Sequence, residues 1–227
     1  MTTQLRNDQL NHLLKFVGYG RLDADIWFLG MEEAGGGEEN IRARLNFKQI
    51  EDNAKAHKTL GITKHHWGKR IIQRTWRGMC YIMLRLEGIE PTTDNIRNYQ
   101  AEKLGRFSGN TLLYELMPIP KPNISKWGYK ELMPQFASRE DYYTKIKPYR
   151  IKLLKELSVK YEPKAIIAYG KSYWQDYKEL FRETSFTQKG QFQVGKHRET
   201  NVVFIDHFTA RTMNNKLDDV VSLIQGN

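Results

Sequence analysis

Apolar positions along the chain fall into two rhythms that take turns. Helical spacing comes first, with Leu5, Leu10, Leu13, Leu14 and Phe16 on one face over residues 5–16. After the turn-like GYGRLD, the run Ala24–Leu29 (ADIWFL) has the length of a buried strand and stops at Gly30. MEEAGGGEEN follows, too glycine-rich for anything but a loop. Residues 67–86 read as one long helix, with Ile71, Ile72, Trp76, Met79, Cys80, Met83 and Leu84 turned inward. A polar connection over 88–104 leads to a second strand, Asn110–Met117, which halts at PIPKP. Ser138 with Asp141 three residues on predicts a capped helix start, and Pro148 predicts a kink or restart. Ile151, Leu154 and Leu157 carry the helical face onward until Pro163 ends it. Lys164–Tyr169 (KAIIAY) is a third strand, ending at Gly170, and residues 172–181 are the next helix. Residues 191–194 read as an edge strand, Asn201–Ile205 as a last core strand and 215–225 as an amphipathic helix.

Strands alternating with helices in this way predict an α/β protein. The expected form is a three-layer α/β/α sandwich around a mostly parallel, about four-stranded sheet, with residues 1–227 in a single domain. Ligands in open α/β sheets bind outside the carboxyl ends of the strands, so the loops after each strand are where chemistry belongs.

Composition narrows the classes. A chain of 227 residues that is 40% hydrophobic and 27% charged can bury its own core, which excludes wholesale disorder. A single cysteine, Cys80, excludes an internal disulfide, an iron–sulfur cluster and a zinc-thiolate site, and no metal or other cofactor is expected. The polar opening MTTQLRNDQL shows no secretory signal, and no apolar run approaches the ~18 residues of a membrane span. A cytoplasmic monomer with no membrane partner is therefore expected. Lys plus Arg number 36 against 26 acidic residues, a net charge of +10, which favours a polyanionic partner such as DNA. Lys69, Arg70, Arg74 and Arg77 extend a basic stretch that starts at Lys64-His65-His66. Those adjacent histidines lack a third ligand at metal-site spacing.

Three strand-end loops carry candidate chemistry. Gly30-Met31-Glu32-Glu33-Ala34 opens the glycine-rich loop. It lacks both the lysine of a P-loop and the spacing of a dinucleotide fingerprint. Its carboxylates suit the orientation of water or the support of a developing cation. Asp206-His207-Phe208-Thr209-Ala210-Arg211 follows the last core strand, and His207 there either donates to a developing anion or caps loop carbonyls. Glu115, in an otherwise apolar strand, is either an outward edge residue or a base-recognition group.

Taken in order, these motifs resemble the uracil-DNA glycosylase superfamily. In that family a Gly-x-Asp, Gly-x-Asn or Gly-Glu motif ends one strand and a His-Pro-Ser-like loop ends the last. Gly30-Met31-Glu32 and His207-Phe208-Thr209 are the counterparts here, and PKAIIAYGKSYW, which includes Lys171, is similar to the family's third strand. The likeness spans about residues 24–224. Glu32 stands where the best-known branch has a water-activating Asp, and Phe208 stands in place of the usual Pro. The branches with a four-cysteine cluster are excluded by the cysteine count.

The resemblance implies a monofunctional DNA glycosylase that hydrolyses the N-glycosidic bond of a flipped-out uracil or modified pyrimidine, leaving an abasic site. It implies Glu32 at the water and sugar cation, with Glu33 as the alternative carboxylate, and His207 at the departing base. Gly30, Met31, Ala34, Phe47, Glu115 and Phe208 would meet the substrate, with Phe47 as the stacking ring. Lys69, Arg70, Arg74, Arg77, Lys171 and Arg211 would meet DNA, and Arg211 or Met213 would fill the space the base vacates. Ala34 takes the place of a bulky Tyr found in uracil-selective relatives, which implies room for a larger base. A 5-substituted cytosine of phage DNA, and with it an antiviral role, fits that space. A non-catalytic DNA-binding module on the same fold and a small-nucleoside hydrolase are the competing readings.

Overall fold

The computed structural model describes residues 3–121 and 127–226, so Pro122, the last proline of PIPKP, lies outside the described residues. The elements run α1 (Asn7–Leu14), β1 (Gly18–Gly20), β2 (Ile26–Gly30), α2 (Glu38–Arg44), β3 (Ile50–Glu51), α3 (Asn53–Thr59), α4 (Arg74–Leu86), α5 (Thr93–Glu102) and β4 (Thr111–Glu115). Next come α6 (Arg139–Tyr161), β5 (Ala165–Tyr169), α7 (Trp174–Leu180), β6 (Thr187–Lys189), β7 (Phe192–His197), β8 (Thr200–Ile205) and α8 (Leu217–Gln225). All eight strands join one sheet in the order β3-β1-β4-β2-β5-β8-β7-β6.

The centre of the sheet is parallel: β4, β2, β5 and β8 run side by side in one direction. These are the strands legible from apolar runs, and each is buried on both faces, as parallel strands covered by helices must be. Trp27 and Leu29 of β2 face one layer of helices, joined by Ile166, Ala168, Val202 and Phe204 of the neighbouring strands. Leu13 of α1, Leu154 of α6 and Tyr177 of α7 cover that face. Ile26 and Phe28 point the other way with Ile167, Val203 and Ile205, onto Met79 and Met83 of α4, Tyr99 of α5 and Val221 of α8. Helices thus flank both faces of a mostly parallel sheet.

The sheet has twice the expected strands. The additions are edge elements: β1 pairs antiparallel with β4, β3 pairs with β1, and β7 with β6 extends the far side antiparallel from β8. β1, β3 and β6 were not legible because they are short or polar, whereas β7 covers the edge strand expected over 191–194; β1 is Gly-Tyr-Gly within a turn-like stretch, and β6 is exposed throughout. Three helices were also missed. α2 forms inside the loop after β2, α3 lies in polar sequence, and α5 occupies the connection expected over 88–104, opened by Thr92, whose side chain accepts from the Asn95 N–H. The long helix expected from residue 67 starts only at Arg74, where the Gln73 side chain caps it by accepting from the Trp76 N–H.

Pro148 does not divide α6, which runs unbroken from its Ser138 cap to Tyr161. Two residues past that proline, Arg150 is fully buried with no carboxylate beside it. Its guanidinium donates instead to four backbone carbonyls. Nε reaches Leu116 at 3.0 Å, Nη1 reaches Leu14 at 3.2 Å and Phe16 at 2.8 Å, and Nη2 reaches Glu115 at 3.0 Å. Burial lowers its pKa to about 10, which still leaves the group charged at neutral pH. This fork ties the end of α1 to the exit of β4.

Arg150→Ala strands those carbonyls in the interior, so it is expected to lower the unfolding free energy by at least about 3 kcal/mol, read as a lower urea midpoint at unchanged m-value. Arg150→Lys is expected to fall between, since an ammonium offers fewer donors in a different geometry.

Candidate active site

The four parallel strands all end on one side of the sheet. In chain order they lie as second, first, third and fourth (β4, β2, β5, β8), so the winding direction reverses between β2 and β5. A crevice opens at such a reversal, outside the carboxyl ends. Here it is a cleft of about 450 Å³ whose walls include Glu32, Glu33, Glu115, Tyr169 and His207. A narrower cavity of about 50 Å³ adjoins it through shared walls at Glu33, Trp76, Glu115 and Tyr169. The acid pair after the first core strand and the imidazole after the last therefore line one space.

Glu32 and Glu33, consecutive in sequence, are held from opposite sides. Glu32 is nearly enclosed; Arg139 donates to its Oε1 at 3.0 Å and the Tyr143 hydroxyl to its Oε2 at 2.7 Å. Both partners come from the first turns of α6, and the buried Lys121 ammonium lies 3.9 Å from the same Oε1. Glu33 pairs with Arg44 of α2 at 2.6 Å and accepts from the Tyr19 hydroxyl of β1 at 2.8 Å. Burial, then the neighbouring Glu32, raises the Tyr143 phenol well above its ordinary range, so it serves as a donor.

Glu115 has no cationic partner among the described residues. Its strand β4 is interior to the sheet, between β1 and β2, which excludes the edge-residue reading. Oε1 accepts from the Tyr169 hydroxyl at 3.0 Å, whereas Oε2 is buried without a hydrogen-bond partner. Burial first, then repulsion from Glu33 and Glu32, pushes its pKa well above the carboxylate range against the opposing Tyr169 bond. Burial and the two neighbouring acids thus favour the protonated form of this carboxyl. Gly30 makes this packing possible: a Cβ there would lie 2.1 Å from Glu115 Oε2 and 2.4 Å from the Tyr169 hydroxyl.

His207 stands exposed at the cleft, edge-on to the Tyr169 ring with centroids 5.6 Å apart. The Thr209 backbone N–H donates to its Nδ1 at 3.3 Å, and Thr209 Oγ1 lies 2.8 Å from the same atom. An N–H can only donate, so Nδ1 carries the lone pair and Nε2 carries the proton. Burial of the ring against the cleft lowers its pKa, favouring this neutral tautomer.

A further lining residue of the cleft, His57, carries no sequence signal. His57 of α3 stacks on Trp76 at 5.1 Å and 19°. Its Nδ1 lies 3.1 Å from His66 Nε2, and His66 Nδ1 lies 3.4 Å from the Ala101 carbonyl. A carbonyl only accepts, so His66 donates to Ala101 and His57 donates to His66. Burial, joined by repulsion from His66 and His65, lowers the His57 pKa to about 3, and burial lowers that of His66 to about 4. His57 lies in a polar stretch with no periodicity, so no signal marked it. Among the described residues, no group of three or more His, Cys, Asp or Glu could hold a metal ion, and no helix is long and apolar enough to cross a membrane.

The remaining expected contacts divide. Met31 and Ala34 line the cleft, and Ala34 is bridged to Lys121. Phe47 does not line it; its ring is buried against Phe16 and Tyr19, leaving no free face for stacking. Phe208 is likewise drawn into the core, its ring lying over Gly78 of α4, where a Cβ would come within 2.4 Å of Cδ1, and against Phe28 and Tyr169. Met213 is buried, so of the two wedge candidates only Arg211 is exposed. Lys69, Arg74, Arg77 and Lys171 are exposed, while Arg70 is engaged by Glu102 at 2.7 Å and by Asn98. No protein-family model matches the chain, and no curated protein matches it.

Two stability tests follow from the buried groups. Glu115 holds its proton to higher pH in the folded than in the unfolded chain, so it destabilises the fold increasingly above about pH 4.3. Glu115→Gln is expected to melt above wild type by several degrees at about pH 8, the gap narrowing towards about pH 4.5. The histidines act in the other direction. Their folded pKa values lie below the unfolded value of about 6.5, so stability falls as pH drops from there towards about 4. His57→Gln should flatten that acid limb in urea midpoints measured at successive pH values.

Proposed function

We propose that the chain is a divergent, metal-free member of the uracil-DNA glycosylase superfamily that hydrolyses the N-glycosidic bond of a flipped-out pyrimidine in DNA. One observation carries this reading: Glu32, Glu33, Glu115 and His207, brought from three separate strand ends, line a single cleft at the reversal of the sheet. Breaking the bond leaves positive charge on the sugar and negative charge on the base, so catalysis needs an anionic group on one side and a donor on the other.

His207 supplies the donor. Its Nε2–H, fixed by the Thr209 contacts at Nδ1, gives a hydrogen bond to a carbonyl oxygen of the leaving base. Glu32 supplies the carboxylate, oriented by Arg139 and Tyr143, and positions the attacking water at the sugar carbon. Glu33, facing both the cleft and the narrower cavity, is the second carboxylate. Water adds to the sugar carbon as the carbon–nitrogen bond breaks and passes its proton to the Glu32 carboxylate, while the electrons of that bond leave with the base as an anion, which then takes a proton from solvent. Glu115, which lines the same cleft, is the group placed to read a polar edge of the base. Ala34 puts a small side chain in the cleft wall, which suits a cytosine enlarged at carbon 5, as in modified phage DNA, and supports an antiviral role.

The ion pairs at Glu32 and Glu33 also favour a second reading, in which the same fold binds DNA without chemistry. Duplexes carrying uracil, 5-hydroxymethylcytosine or glucosylated cytosine, treated with alkali after incubation, separate the two. Strand cleavage at one of these bases is expected from wild type, with His207→Ala slower by roughly a hundred- to thousandfold. Glu32→Gln should lose rate while still binding DNA. No abasic product on any duplex, despite DNA binding, selects the second reading.

A further inference from the structure

Between α3 and α4 the chain makes a compact loop whose ends, at His65 and Gln73, line the cleft. The loop is closed three ways. Ile71 N–H donates to the Lys64 carbonyl at 2.7 Å, and His65 Nδ1 donates to the Ile71 carbonyl at 2.7 Å. The fully buried Gln100 amide then donates to the His65 and Ile71 carbonyls and accepts from the Gln73 N–H. His65 and His66 are turned inward beneath it. Two large apolar side chains of the loop are turned outward: Trp67 is 44% and Ile71 55% exposed, among the few large hydrophobic side chains in water.

Exposing an indole and a branched aliphatic on a rigid support is unfavourable unless something covers them. The charge around them indicates what. From Asn53 to Leu86 the sequence holds eight Lys and Arg and no acidic residue. Lys64, Lys69, Arg74 and Arg77 are exposed around the loop, without an ion-pair partner among the described residues. Glu102, from α5, is already neutralised by Arg70. An apolar tip within an unbroken positive field fits a polyanion that also presents flat apolar surfaces, which is a nucleic-acid strand with unstacked bases.

We propose that the 64–71 loop is the surface that holds DNA open at the cleft, with Trp67 and Ile71 against unstacked bases and Lys64, Lys69, Arg74 and Arg77 on phosphates. This rests on the reading of the chain as a DNA-acting protein, and it places the wedge before α4 instead of after His207. The loop is preformed, so its ordering takes little from binding.

The test is equilibrium binding of a labelled oligonucleotide, single-stranded and in a duplex with one mismatch, over a range of salt. Trp67→Ala should weaken binding to both by roughly tenfold with the salt slope unchanged, and Trp67→Phe should restore most of it. Lys69→Ala and Arg74→Ala should instead each reduce the salt slope by about one. Trp67→Ala binding within twofold of wild type overturns the proposal, as does wild type that binds neither oligonucleotide. Base release by wild type is scored separately. Tight binding that depends on Trp67 without base release keeps the loop and removes the glycosylase; base release with binding indifferent to Trp67 does the reverse.

Discussion

A guanidinium buried without a counter-ion is tolerable only if its donors find acceptors, and Arg150 places four of its five N–H groups on backbone carbonyls. The carbonyls come from the end of α1, the link to β1, and the last residues of β4. That choice fixes where β4 leaves the sheet, and with it where Glu115 sits. It also explains why β1, too short to be stable by itself, can pair with β4: both flanks of the pairing are anchored to the same side chain. The site inherits this geometry, because Glu115 is the one cleft acid on an interior strand.

The three cleft carboxyls divide by their neighbours. Glu32 and Glu33 each have an arginine and a tyrosine, so their charge is compensated and their direction set. Glu115 has only a tyrosine among the described residues, at a place where two other acids are close, and its protonated form is favoured. Two electrostatic types thus arise from one residue type within one cleft, and the separation of roles follows from which strand each glutamate terminates. Gly30 is the steric condition for it, since any side chain there would displace the Glu115 carboxyl.

The histidines repeat the pattern with hydrogen bonds in place of charge. A backbone N–H sets the tautomer of His207, and a backbone carbonyl, acting through His66, sets that of His57. The first leaves His207 Nε2 as a donor and the second leaves His57 Nε2 as an acceptor, so two imidazoles lining one cleft carry opposite polarity.

Long apolar runs determined the four central strands, because a strand buried on both faces has to be apolar throughout, and the sequence of ADIWFL, NTLLYELM, KAIIAY and NVVFI shows it directly. The same reasoning located the loops after β2 and β8 and hence Glu32, Glu33 and His207, since ligand sites follow from strand direction. The short strands β1, β3 and β6 carry no such pattern, because pairing with a neighbour, not burial of an apolar face, makes them strands. Phe47 and Phe208 had the right chemistry to stack on a base, but only packing could decide that Phe16, Tyr19 and Gly78 would take their faces. The partners of Glu32, the isolation of Glu115 and the histidine chain at Trp76 join residues tens of positions apart. Sequence spacing cannot encode such contacts; they exist only once the helices are laid on the sheet.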